Sequence, residues 1–63
     1  MLVKFINSSS ETVWINPLHV RIVIECKHGT EVVWGEGEDS FTTIVFETAE
    51  VTVERLNYAL ARM

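Results

Sequence analysis

Sixty-three residues make room for one domain, and a domain of this size buries only roughly 60% of the surface its unfolded chain exposes, so its stability is marginal on its own. An apolar fraction of 48% against 22% charged residues excludes a disordered chain. The formal charge of −4, nine acids against five bases, works against general nucleic-acid binding, whose affinity comes from Lys and Arg on phosphates.

Cys26 is the single cysteine, so no internal disulfide is available, and with His19 and His28 as the only imidazoles one chain cannot supply a four-ligand zinc site from thiolates and imidazoles. Association with further copies is the remaining route to stability, and a homo-oligomer is expected. No apolar run approaches the roughly 20 residues of a membrane span. Residues 1–6 meet polar Asn7 too early for a secretory signal, so no membrane partner and a cytoplasmic location are expected.

In chain order, residues 2–6 are apolar except for Lys4 and run into Asn7-Ser8-Ser9-Ser10. Thr12-Val13-Trp14-Ile15 is β-branched and aromatic, so the two segments predict a hairpin with a polar tip. Pro17 lacks an amide donor and biases Asn16 toward extended backbone, which ends the second strand at Ile15 or Asn16. Residues 20–26 alternate clearly, predicting a strand with Val20, Ile22, Ile24 and Cys26 on one face and Arg21, Val23 and Glu25 on the other. Lys27-His28-Gly29 is a turn signal, and residues 30–34 return with Val32 and Trp34 on a common face.

Gly35-Glu36-Gly37-Glu38-Asp39-Ser40 is expected to be an exposed loop. Residues 42–46 read as another strand, 47–50 as a turn or strand end, and 51–53 as a brief return strand. From Val53 the period changes: Val53, Leu56, Leu60 and Met63 recur at helical spacing with Ala59 beside them, and Thr52 is placed to cap the helix. The expected fold is mainly β within the α+β class: a small antiparallel sheet or barrel-like meander of five to six short strands with one C-terminal helix, all in one domain.

Val13-Trp14-Ile15-Asn16-Pro17 followed by residues 20–24, then Thr43-Ile44-Val45-Phe46 and Val51-Thr52-Val53-Glu54, resemble the small FlbD-like proteins of bacterial flagellar operons. The acidic segment 35–40 departs from that pattern as an insertion. The resemblance implies a structural or regulatory adaptor that binds a protein partner. Size, the Met1-Leu2 start and a strand-rich body ending in a helix are also similar to the carbon-storage-regulator family of dimeric RNA-binding proteins. The stretch Val51-Thr52-Val53-Glu54-Arg55 is mixed in charge where that family is expected to be basic.

Cys26 and His28 lie two apart and could serve as thiolate and imidazole, but with no CxxC and only His19 beyond them a small buried cysteine beside a turn histidine is the expected role. Glu36, Glu38 and Asp39 offer oxygens to a hard cation without EF-hand spacing, and read as a solvated acidic loop. Ser8, Ser9 and Ser10 with a histidine lack the third group and oxyanion site a hydrolase needs, and read as a turn. No catalytic residue, metal ligand or cofactor is expected.

Trp14 and Trp34 belong either to core or interface, or to stacking on a ligand. If Arg21 or Arg55 projects beside one of them, ring and guanidinium would make a nucleotide pocket. The sequence therefore points to a non-enzymatic, homo-oligomeric binding module with Trp14, Arg21, Trp34 and Arg55 as ligand-binding candidates. It would sequester a small molecule or nucleotide signal between subunits, as phage-encoded sponges of this scale do. The FlbD-like adaptor and a small RNA-binding regulator are the alternatives.

Overall fold

The computed structural model describes residues 1–63 and contains five antiparallel strands and one helix. Strand β1 (Val3–Ile6) pairs with β2 (Thr12–Ile15) as the expected hairpin, Val3 opposite Ile15 and Ile6 opposite Thr12. Asn7 organises its tip: its Oδ1 accepts from the amides of Ser9 (3.0 Å) and Glu11 (2.9 Å), and Ser10 takes φ 62° to close the turn. The serines are thus turn residues. Asn16 repeats this local chemistry after β2, where its Oδ1 accepts from the Leu18 amide at 3.0 Å and starts a single 3-10 turn, Pro17–His19, with Pro17 buried.

β3 (Val20–Cys26), β4 (Gly29–Trp34) and β5 (Phe41–Val45) form the second sheet in that order, as a meander. Gly29, opposite Cys26, follows the two-residue turn Lys27-His28 with φ 155°, and a Cβ there would come 2.6 Å from the Val45 carbonyl oxygen. The two sheets touch at one bridge, Asn7 opposite Val45, where the Ser8 amide donates to the Ile44 carbonyl at 2.8 Å. The join continues past the bridge through side-chain contacts of α1. Arg55 spans it by donating to the Lys4 carbonyl and to Glu47 Oε2, the latter at 2.6 Å.

The helix α1 (Ala49–Ala61) packs across the inner faces, touching β1, β3, β4 and the 3-10 turn. Phe5, Ile15, Val32, Val45, Leu56, Ala59 and Val3 form the core, with Val13, Val20, Val23 and Trp34 packed around them. No helix is long and apolar enough to cross a membrane.

Three expectations are corrected. Residues 51–53 are helix rather than strand, because Thr48, not Thr52, is the N-cap: its hydroxyl accepts from the Val51 amide at 3.2 Å. Helix burial falls on Thr52, Leu56 and Ala59, a stripe rotated from the expected one, while Val53, Leu60 and Met63 stay largely exposed. In β3 the simple alternation fails at Arg21: Val20 lies opposite Trp34 and Ile22 opposite Val33, so Arg21 is an extra residue in the ladder. That bulge turns Val20 and Val23 to the core together and sends Ile22 and Ile24 outward.

Candidate functional site

The outer face of the second sheet follows from its register. Ile24 pairs with Glu31 and Glu31 with Ile44, giving one cross-strand row, while Ile22, Val33 and Thr42 give the next. Phe46 continues the face past β5, and its amide donates to the Ile6 carbonyl at 3.4 Å across the join, bringing Ile6 of β1 onto the same side. The result is a largely apolar surface: Ile22 is 52% exposed, Ile24 42%, Ile44 42%, Phe46 60% and Ile6 42%. These five side chains bare on the order of 500 Å² of apolar surface, the size of the largest patch on a typical monomer, which is often functional. Glu31 is the acid on the row between Ile24 and Ile44, and its Oε2 lies 3.7 Å from Cys26 Sγ.

The opposite face shows how a sheet of this composition looks when covered. Thr30, Val32 and Val45 are buried under α1, and the Thr30 hydroxyl donates to the Glu47 carbonyl at 2.7 Å. Trp34 packs on this inner side, with its ring centroid 4.9 Å from that of Phe41 and its Nε1 donating to Thr43 Oγ1 at 2.9 Å.

The four ligand-binding candidates lie apart. Trp14 is exposed on β2, opposite Lys4. Arg21, at the bulge, donates through Nη2 to the Gly37 carbonyl at 2.5 Å and pins the acidic loop. Trp34 is half-buried beneath its hydrogen bond. Arg55 is committed to Lys4 and Glu47, with its guanidinium carbon 4.7 Å from the Phe5 ring centroid. Of the four, Arg55 alone lines a cavity, an open groove of about 430 Å³ between the start of β1 and α1 that also touches Leu2, Lys4, Glu54 and Tyr58. The stacked cations are Arg55 on Phe5 and Arg62 on Tyr58, not an arginine on either tryptophan.

Cys26 and His28 share a shallow cleft of about 280 Å³ with Glu25, Lys27, Phe46 and Glu47. In the 35–40 loop Glu36 Oε1 lies 3.7 Å from His19 Nε2.

The sequence pattern assigns faces within residues 20–26 but not which strands lie beside them, so it does not assemble an outer face. The signal was nonetheless present: Ile22-Val23-Ile24, Val32-Val33-Trp34 and Ile44-Val45-Phe46 are three consecutive apolar residues each, and a strand with no alternation is apolar on both faces. No protein-family model, curated protein or solved structure matches this chain.

Proposed function

We propose that the protein is a non-enzymatic, homo-oligomeric binding module that works through the outer face of its three-stranded sheet. The observation that carries this is the exposed apolar patch of Ile22, Ile24, Ile44 and Phe46 on the side of the sheet away from α1. A standard interface removes roughly 800 Å² per partner, around a tenth of a small protein's surface. On a chain whose total accessible surface is 4341 Å², the bare patch supplies the apolar centre of such an interface, and the strand ends supply a rim.

Thermodynamic need points the same way. Only ten of 63 residues are buried, a small core for an independent fold, and covering a second sheet face is the most direct way to add apolar burial. The face carries the proposal ahead of a nucleotide pocket at Trp14, Arg21, Trp34 and Arg55, because three of those four already spend hydrogen bonds inside the chain.

Native mass spectrometry and light scattering of purified protein test this against Ile44→Lys and Phe46→Ser, two substitutions of residues that are exposed in the single chain. The expected result is a defined oligomer in the parent protein and a smaller assembly in both variants, from loss of the outer-face contact, with unchanged circular dichroism. A parent protein that is monomeric at 100-fold the working concentration would reject self-association. Bound small molecule would appear in the same spectrum as added mass of fixed stoichiometry.

A further inference from the structure

β3 is the longest strand and pairs on one side only, with β4; its other edge has no strand. Edges are usually blunted by shortness, proline, charged side chains or a bulge, and a regular stretch of bare edge is a template for another chain. Residues 20–26, Val-Arg-Ile-Val-Ile-Glu-Cys, contain neither proline nor lysine, and the one bulge sits at Arg21, leaving residues 22–26 in regular register with β4.

The order of side chains along that edge is complementary to itself. Turned about Val23, a second antiparallel copy sets Ile22 opposite Ile24 and Val23 opposite Val23, and brings Arg21, at the bulge, beside Glu25. By the two-fold symmetry the Ile22–Ile24 and Arg21–Glu25 pairs each occur twice. The neighbouring centres do worse. A turn about Ile24 brings Arg21 beside Lys27, a like-charge pair, and sets Glu25 against Val23; a turn about Ile22 leaves Arg21 beside Val23 and Glu25 against His19. Arg21 and Glu25 are both exposed, and an arginine with five donors that spends Nη2 on Gly37 keeps others for a carboxylate.

We infer that two copies of this chain join edge to edge through antiparallel β3 strands centred on Val23. This rests on the homo-oligomeric reading above and adds a second contact between copies, at the β3 edge and two strands away from Ile44 and Phe46, with its own register and symmetry. Joining β3 to β3 makes one six-stranded sheet and sets the two apolar outer faces side by side.

The test is charge reversal with rescue. Arg21→Glu alone and Glu25→Arg alone each set like charges beside each other at two places, and each is expected to weaken the dimer about tenfold or more. The double reversal, Arg21→Glu with Glu25→Arg, restores the opposite pairing and is expected to return the dissociation constant to within threefold of the parent. Independently, Val23→Cys in a Cys26→Ser background is expected to form a covalent dimer on mild oxidation, since residues facing across antiparallel strands lie about 4.5–5.5 Å apart at Cα, within disulfide range.

Single reversals without effect, a double no better than the singles, or failure of the engineered cysteine to cross-link would overturn the β3 pairing. If dimer mass persisted in that case, the homo-oligomeric reading would survive. A parent protein that stays monomeric would end both.

Discussion

Arg55 and Arg62 lie at the same distance, 4.7 Å, from an aromatic ring centroid, Phe5 and Tyr58 respectively, yet their consequences differ. Arg62 is exposed at the end of α1 and Tyr58 is 60% exposed, so their contact is worth well under about 1 kcal/mol. Arg55 stacks on a buried ring while its two Nη groups tie the Lys4 carbonyl and Glu47 across the join between the sheets. Because the Arg55 side chain is itself 38% exposed, its ion pair alone contributes no more than about 1 kcal/mol. The hydrogen bond to Lys4 and the stacking supply the remainder. Arg55→Gln is therefore expected to cost about 2 kcal/mol, lowering Tm by about 10 °C. Arg62→Gln is expected to change Tm by less than about 3 °C. Thermal unfolding followed by circular dichroism compares them, and equal effects would show that the join between the sheets needs no clamp.

At the scale of elements, α1 carries two threonines with opposite roles. Thr48 caps the helix, so Thr48→Ala is expected to cost about 1 kcal/mol. Thr52 is fully buried and its Oγ1 has no hydrogen-bond partner, so Thr52→Val keeps the shape, removes an unsatisfied hydroxyl and is expected to stabilise by about 1 kcal/mol. Urea unfolding reads both, and destabilisation by Thr52→Val would place a partner on that hydroxyl. The sequence pattern places the cap at Thr52 instead, and the cause is physical. Val51-Thr52-Val53 is β-branched and mimics a strand by local propensity, whereas the helix there is held by packing of Thr52, Leu56 and Ala59 on the sheet.

The strands themselves were legible, because β-branched runs bounded by Asn, Ser, Pro and Gly leave little choice of element; β2 and β3 span the expected residues. The bulge at Arg21 was not, since an extra residue in a ladder has no composition of its own, and it moved every facing assignment on one side of it. The site was hidden for the same reason: a face is a property of paired strands. Only the register places Ile24, Glu31 and Ile44 in one row.

For the whole molecule the question is how an α+β fold with ten buried residues stays folded. Its sheets meet at one bridge, its helix covers one side, and the other side keeps Ile22, Ile24, Ile44 and Phe46 in the open. If a second copy covers or extends that sheet, folding and association are linked, and stability depends on chain concentration by mass action. For a dimer of about 126 residues, a tenfold rise in concentration is expected to lift Tm by about 5 °C. Ile24→Lys separates the contributions. In an isolated chain an exposed isoleucine on an edge strand costs little to replace, within about 0.5 kcal/mol, so Tm would hardly move at low concentration. In the assembled protein the same lysine sets a charge into the joined surface, so the rise of Tm with concentration is expected to flatten while the dilute value stays put. Scanning calorimetry over a hundredfold range of concentration reads both quantities, and a parent Tm that ignores concentration would mean that the fold stands on its seven core residues alone.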